Sequence, residues 1–332
     1  IKGVGKGAVE TIIEYRKDER YTSIFDLVKR IDLRAANKKA FENLVLAGGF
    51  DSFLNVNRSQ YLNPDGDGVT FLEKVLRFGA KYQENLNSSQ TSLFSEETTN
   101  TYQDLTIPTC EPWTNLTRLK KEKEVVGIYI SSHPLDDFTH EIDHFVNITL
   151  NQIGDLNDFL RKELNIGGIV NDIQHLESRN GKGWARFVLE DFTDQYEFRI
   201  FGEDYLKYRH FLVVNQFIRI RIMIREGWTN RETGKVGSPR MQYLQFEMLQ
   251  NTIENNAKKL TLQLEISQLQ NEKIKQLEDN LRLFKGDNQL MFNVYDSNKK
   301  VKLTLKSKKQ KVKITSELLT LLDENNWHYK LN

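Results

Sequence analysis

The chain has 332 residues, 39% hydrophobic and 28% charged, enough for two or three ordinary globular domains. Its formal net charge of +1 gives no global sign of a nucleic-acid partner. No window approaches the roughly 18 to 20 apolar residues of a membrane span, no signal-peptide pattern opens the chain, and a single Cys110 excludes a disulfide framework and fits a reducing cytosol.

Residue 1 is Ile and the first motif looks cut in half, so the chain reads as a piece of a longer protein. Ile1-Lys2-Gly3-Val4-Gly5-Lys6-Gly7-Ala8 leads into a helical pattern of Val9, Ile12 and Ile13. A glycine-apolar-glycine turn opening a helix is the second half of a helix-hairpin-helix. Gly3, Val4 and Gly5 would bring backbone amides close to a phosphate, and Lys2 and Lys6 would add charge. On the octapeptide alone the plainer reading, a Gly-rich helix start, stays open. Asn37 is set to cap a helix that Gly48 and Gly49 stop. Phe25, Leu27, Val28, Ile31 and Phe41 are the expected core of this part.

Residues 63–68 resemble a calcium loop at first sight, but the bidentate position would be Lys74, so they are expected to form a turn. A helix follows, with Phe71, Leu72, Val75 and Leu76 on its apolar face. Residues 83–112 are polar and breaker-rich, and are expected to form an exposed linker. Within it, Gln90-Thr91-Ser92-Leu93-Phe94 places two large apolar side chains in a polar tract. Such a pair either folds back onto a domain or docks into a partner's pocket.

Residues 113–130 form a charged helical segment. Then His140-Glu141-Ile142-Asp143-His144 spells H-E-x-x-H, which on a helix would put two imidazoles beside a carboxylate base. A catalytic zinc normally takes a third protein ligand, and none follows at a recognised spacing. Two surface histidines on a linking helix is the stronger reading.

Residues 164–250 carry five strand patterns. Ile218, Ile220, Ile222 and Ile224 alternate with Arg219, Arg221, Met223 and Arg225, the period of a half-buried strand. Ala185, Phe187 and Leu189 alternate with Trp184, Arg186 and Val188, and Tyr196, Phe198 and Ile200 with Glu197 and Arg199. Gly167 and Gly168 allow the first strand to bend. A short helix near residues 203–211 falls between the third and fourth strands. This is the layout of an OB barrel, whose usual ligand is single-stranded nucleic acid or oligosaccharide. The expected outer face carries Trp184, Arg186, Arg199, Arg219 and Arg221, and the last loop carries Trp228, Arg231, Lys235 and Arg240. Guanidinium groups would track phosphates and rings would stack on bases. An ordinary solvated charged face remains the alternative.

Residues 251–256 read as a polar linker. Residues 258–332 read as a small α+β domain, with a helix ended by Gly286 and a lysine run over residues 299–313. That run fits either one solvated strand face or a partner surface.

Taken together, the hairpin, Ala47-Gly48-Gly49-Phe50-Asp51, the Q-x-S-L-F peptide, Glu122-Lys-Glu-Val-Val-Gly127 with Ser132-His133-Pro134-Leu135, and Leu189-Glu190-Asp191 resemble the C-terminal part of the bacterial DNA polymerase III alpha subunit, DnaE type. The resemblance runs from Ile1 to about Gln250, and more weakly to Asn332. It implies a multidomain α and β fold. Residues 1–88 would be a helix-hairpin-helix domain, 89–112 a linker, 113–162 a helical connector, 163–250 a five-stranded OB barrel and 258–332 a C-terminal α+β domain. It further implies that Lys2, Gly3, Val4, Gly5 and Lys6 grip duplex DNA and that the barrel meets single-stranded template. Gln90, Ser92, Leu93 and Phe94 would bind the sliding clamp, and the last domain the tau subunit of the clamp loader. Thr91 departs from the Leu common in such clamp peptides. The catalytic aspartates and their magnesium would belong to an upstream palm domain, so no cofactor, metal or independent activity is expected here, and no membrane partner. The whole protein would be a cytoplasmic nucleotidyltransferase. Two rival readings are a stand-alone module of repair or tRNA metabolism and a zinc hydrolase centred on His140 and His144.

Overall fold

Short polar side chains decide where the first helices begin. The computed structural model describes residues 1–17, 19–53, 56–87, 105–228 and 236–332. Helix α1 (Lys6–Arg16) follows an uncapped Gly5. Ser23 accepts the Asp26 amide and opens α2 (Ile24–Arg30). Asn37 accepts the Ala40 amide at 3.0 Å and opens α3 (Lys38–Leu46), as its sequence position predicts. Asn57 and Gln60 form a capping box at α4 (Arg58–Leu62). Such caps are each worth about 1 kcal/mol. The turn expected at residues 63–68 is present: Asp65 accepts the amides of Asp67 and Val69 and pairs with Lys74. Helix α5 (Phe71–Asn87) follows it. Leu27, Val28, Ile31, Phe41, Tyr61, Leu72 and Val75 form the buried centre, with Phe25 half-buried against the edges of Phe71 and Phe78.

Helix α6 (Asn115–Val126) belongs to the same compact unit, Ile1–Pro134. Its fastening is a buried carboxylate. Glu122 has no exposed surface and accepts the amides of Ile130 (2.6 Å) and Ser131 (2.7 Å) and the Ser131 hydroxyl (2.6 Å). Arg58 donates to Glu122 at 3.1 Å and to Asp51 at 2.6 Å. Burial pushes the Glu122 carboxyl up, but its donors, Ser131, Ile130 and Arg58, outweigh burial and hold it below the usual range.

The second unit, Leu135–Asn332, starts with α7 (Thr139–Phe145). Strands β1 (Glu163–Glu177), β2 (Gly183–Glu190), β3 (Gln195–Phe201), β4 (Phe217–Arg225) and β5 (Arg240–Met248) follow, with α8 (Gly202–Tyr208) after β3. All pair antiparallel in the order β3-β2-β1-β4-β5. The first half of β1 pairs with β4 and its second half with β2, with a bulge between Val170 and Asp172. Just before the bulge, Gly168 lets the Glu190 carbonyl of β2 approach closely; a Cβ there would collide with it. The sheet curls far enough for its two end strands to meet. The Tyr243 hydroxyl of β5 donates to the Arg199 carbonyl of β3 at 3.0 Å. Inside lie Ile166, Phe187, Leu189, Phe198, Ile218, Ile220, Ile222 and Ile224, the inward set that the alternation predicts. This is an OB-like sheet with its helix in the expected place.

Residues 251–256 differ from the expected linker. They contain α9 (Thr252–Asn256), with Thr252 and Ile253 buried. The polar side chains look inward: Asn256 donates to both oxygens of Glu247 (3.0 and 3.2 Å) and to the Thr252 carbonyl (2.8 Å). Beyond it come β6 (Lys259–Glu265), α10 (Asn271–Leu283), β7 (Lys285–Asp296), β8 (Val301–Lys306), α11 (Ser316–Glu324) and β9 (His328–Leu331). The sheet order is β8-β7-β6-β9, with β6 parallel to β7 across α10. Leu260, Leu262, Leu290, Leu318, Leu319 and Leu322 form its core, and Phe145 of α7 packs against it. Gly286 does not end the helix as expected. It lies within β7, where the Lys313 backbone approaches too closely for a side chain.

Candidate nucleic-acid interface

The outward positions of β2 and β3 bring the predicted residues together. Trp184 and Phe201 are cross-strand partners. Their rings stack with centroids 5.2 Å apart and planes 18° from parallel. Phe201 is 57% exposed, a large apolar surface held open to solvent. Arg186 and Arg199 are the next outward pair along the same strands. Both reach Glu197, at 3.1 and 2.9 Å, so that carboxylate orients and partly neutralises them. At the head of β5, the Arg240 guanidinium lies 4.4 Å from the Trp228 ring centroid, and Trp228 is 78% exposed. Arg231 and Lys235 lie outside the described residues.

The two β4 arginines part company. Arg221 is half-exposed and bonds Glu163 at 2.9 Å and Gln245 at 3.2 Å, and that pairing holds the Glu163 carboxyl below its usual range. Arg219 was expected on the outer face and is instead buried, at 6% exposure. It pairs with Glu247 and donates to the Phe145 carbonyl (2.9 Å) and to Asn165 (2.7 Å). Its neighbours come from two helices: the Phe145 ring of α7 lies 5.9 Å from the guanidinium, and α9 supplies Asn255 and Asn256 to its partner Glu247.

Sequence reasoning missed Phe201, though its signal was present. It has the outward parity of Glu197 and Arg199, where a large aromatic is out of phase with the core. Arg179 and Lys182, in the exposed turn between β1 and β2, were also passed over. That turn is one of the ligand-contacting loops of OB folds.

In the first unit, Gly3 has φ +70°, a left-handed conformation suited to glycine. Gly5 precedes α1 without a side-chain cap, so the first-turn amides have no capping side chain. The Lys2 backbone is anchored on both sides, its amide to the Val125 carbonyl (2.8 Å) and its carbonyl from Asn43 (2.6 Å). Val4 packs on the core, and Lys6 forms an exposed pair with Glu10 at 3.5 Å. Gln90, Ser92, Leu93 and Phe94 lie outside the described residues.

His140 and His144 line one open depression with Asp143, Asp323, His328 and Tyr329. Both His140 nitrogens have protein neighbours: Thr320 at 3.0 Å, and Tyr329 and Asp323 at 3.4 and 3.7 Å. Among the described residues no group of three or more His, Cys, Asp or Glu is placed to hold a metal ion. No described helix is long and apolar enough to cross a membrane.

Residues 1–61 match the family described as "Helix-hairpin-helix motif". Residues 260–332 match "DNA polymerase III alpha subunit, C-terminal domain". The chain matches the C-terminal region of DNA polymerase III alpha subunits. It is 30% identical over 224 residues to the subunit of Borreliella burgdorferi, covering 66% of this chain and 19% of that protein. For the subunit of Escherichia coli O157:H7 the identity is 28%, over 64% and 18%. For that of Mycobacterium tuberculosis CDC 1551 it is 29%, over 63% and 17%. The chain thus spans about a fifth of the length of these curated relatives. A small single-stranded DNA-binding protein of Streptomyces coelicolor is similar at 11% identity, over 26% of this chain and 94% of that one, with a TM-score of 0.16, too low to argue from.

Proposed function

We propose that this chain is the DNA-positioning and processivity part of a bacterial replicative DNA polymerase, a DNA-directed nucleotidyltransferase of the cytoplasm. The observation that carries the reading is the stacked pair of half-buried Trp184 and exposed Phe201 on a curled five-stranded sheet, in a chain that matches alpha subunits. Single-stranded template lies across β2 and β3. Its bases stack on Trp184, Phe201 and Trp228, and its phosphates meet Arg186, Arg199, Arg221 and Arg240, with Arg231 and Lys235 closing over the strand from the last loop. Duplex phosphates meet the α1 N-terminus through Gly3, Val4 and Gly5, with Lys2 and Lys6 beside them. Gln90, Ser92, Leu93 and Phe94 bind the sliding clamp, and residues 258–332 bind the tau subunit. Magnesium and the catalytic carboxylates belong to a palm domain outside this chain, so the chain alone neither polymerises nor cleaves DNA.

The test is anisotropy of a fluorescein-labelled oligo-dT at low salt. Trp184→Ala and Phe201→Ala should each weaken binding by about 1 to 3 kcal/mol, roughly 5- to 150-fold. Affinity should also fall as salt rises, because bound counterions are released. Parent-like binding by both variants would place the single-stranded site elsewhere.

A further inference from the structure

The C-terminal sheet ends in a strand that none of the described elements covers. β8 is at one end of the sheet order and pairs with β7 alone. All six of its residues are exposed. Its outer edge therefore offers alternate backbone amides and carbonyls to solvent. The register sets Leu305 opposite Phe292 and Leu303 opposite Val294. Direct cross-strand partners share a face, so Leu303 and Leu305 extend the apolar face on which Phe292 packs into the core. They nevertheless remain 55% and 44% exposed, and Val301, next in the same row, 59%.

The charge around this edge is of one sign. Between Asp296 and Glu317 the chain has eight lysines and no acidic residue. Lys299 lies 4.0 Å from Asp296 and Lys313 lies 3.6 Å from Glu254; among the described residues the other six reach no carboxylate within ion-pair distance. Lysines alone would be read as protection of an edge against aggregation. A continuous row of three exposed aliphatic side chains works against such protection.

We propose that the outer edge of β8 is a docking site for an extended acidic peptide that joins the sheet as a further strand, alternating aliphatic residues with Asp or Glu. Its backbone pairs with the free edge of β8. Its aliphatic side chains continue the Val301, Leu303 and Leu305 row, and its carboxylates meet Lys302, Lys306 and the lysines flanking the strand. A second copy of β8 is a poor occupant, because lysines would face lysines. Nucleic acid would use the lysines but leave the aliphatic row uncovered, and β8 has no aromatic ring on which a base could stack.

The probe is a fluorescein-labelled eight-residue peptide alternating Glu with Val and Leu, titrated against the 332-residue chain. A second peptide of the same sequence carries N-methyl groups on the amides that face β8. The unmodified peptide should bind at least tenfold more tightly than the N-methylated one. Leu303→Lys, which removes the exposed branched aliphatic group, should weaken it about tenfold despite adding a positive charge, with an unchanged circular dichroism spectrum. Lys302→Glu with Lys306→Glu should weaken it as well. Equal binding of the two peptides would overturn the proposal, because charge alone would then account for the contact. Oligo-dT binding that Leu303→Lys leaves intact but the lysine changes abolish, with no peptide binding, would overturn it in favour of nucleic acid. Concentration-dependent dimerisation lost in Leu303→Lys, again without peptide binding, would overturn it in favour of self-association.

Discussion

Glu122 shows what one residue of a sequence pattern can do. It opens the Glu122-Lys-Glu-Val-Val-Gly127 stretch, and its carboxylate fastens the turn at Ile130 and Ser131 while meeting Arg58 from α4. Asp191 acts similarly in the other unit, taking the Leu150 amide at 2.7 Å and the amides of Thr193 and Asp194. Both belong to the segments that gave the family resemblance, and both are occupied by their own backbone. Removing one partner of a buried ion pair typically costs 3 to 5 kcal/mol, so Glu122→Ala should destabilise the first unit by about that much. The pH dependence has a definite sign. The folded carboxyl is held low, so its contribution is complete above the unfolded value, about 4.3, and is lost as pH falls through the lower folded value. Thermal melts of Glu122→Gln and the parent should therefore differ at pH 7 and converge in acid. Melts that stay equally far apart at every pH would assign the loss to packing.

At the scale of an element, β4 gives the clearest case. Arg219 and Arg221 occupy equivalent places in the alternation, yet one is buried against Glu247 and the other reaches the surface. Arg219→Ala should cost about 3 to 5 kcal/mol, since Glu247 would remain buried and charged, whereas Arg219→Met with Glu247→Leu should be close to neutral. Neither change should alter oligo-dT affinity at a temperature where the protein is folded. A loss of affinity as large as that of Trp184→Ala would return Arg219 to the interface. The five strands, the helix after β3 and the order of the C-terminal elements were all legible, because period-two and period-3.6 patterns are local. Which outward residues stay outside was not. Phe145, more than seventy residues earlier in sequence, packs on the Arg219 guanidinium, and the α9 asparagines that hold its partner Glu247 read as linker until the chain folds. Gly286 misled for the same reason: its constraint comes from Lys313, far along the chain.

At the scale of the whole molecule, the proposed contacts are separable by mutation. Leu93→Ala with Phe94→Ala should abolish clamp binding in calorimetry and leave the fold and the oligo-dT affinity unchanged. Burying the two side chains would contribute roughly 1.5 to 3 kcal/mol each before ordering costs. Short peptide contacts of that kind are of micromolar order, and a clamp on the same DNA raises their effective concentration. Equal heats from parent and double variant would put the clamp contact elsewhere. The C-terminal sheet is less separable. Phe145, Ile253 and Ala257 pack on its core, so a chain ended at residue 250 would uncover Phe145 and lose α9. Such a truncation should melt at a lower temperature than the OB-like part of the parent.

The packing of half-buried Phe145 also bears on synthesis at the ribosome. Its ring is made before the OB-like sheet, yet the leucines that cover it lie roughly 115 to 180 residues later. At about 5 to 20 residues per second, that apolar surface waits on the order of 6 to 36 s for its partner, while β1 to β5 can already close. A nascent chain stalled after β5 should therefore carry a folded sheet and one exposed sticky helix, and should recruit a hydrophobe-binding chaperone that a chain carried through β9 no longer needs.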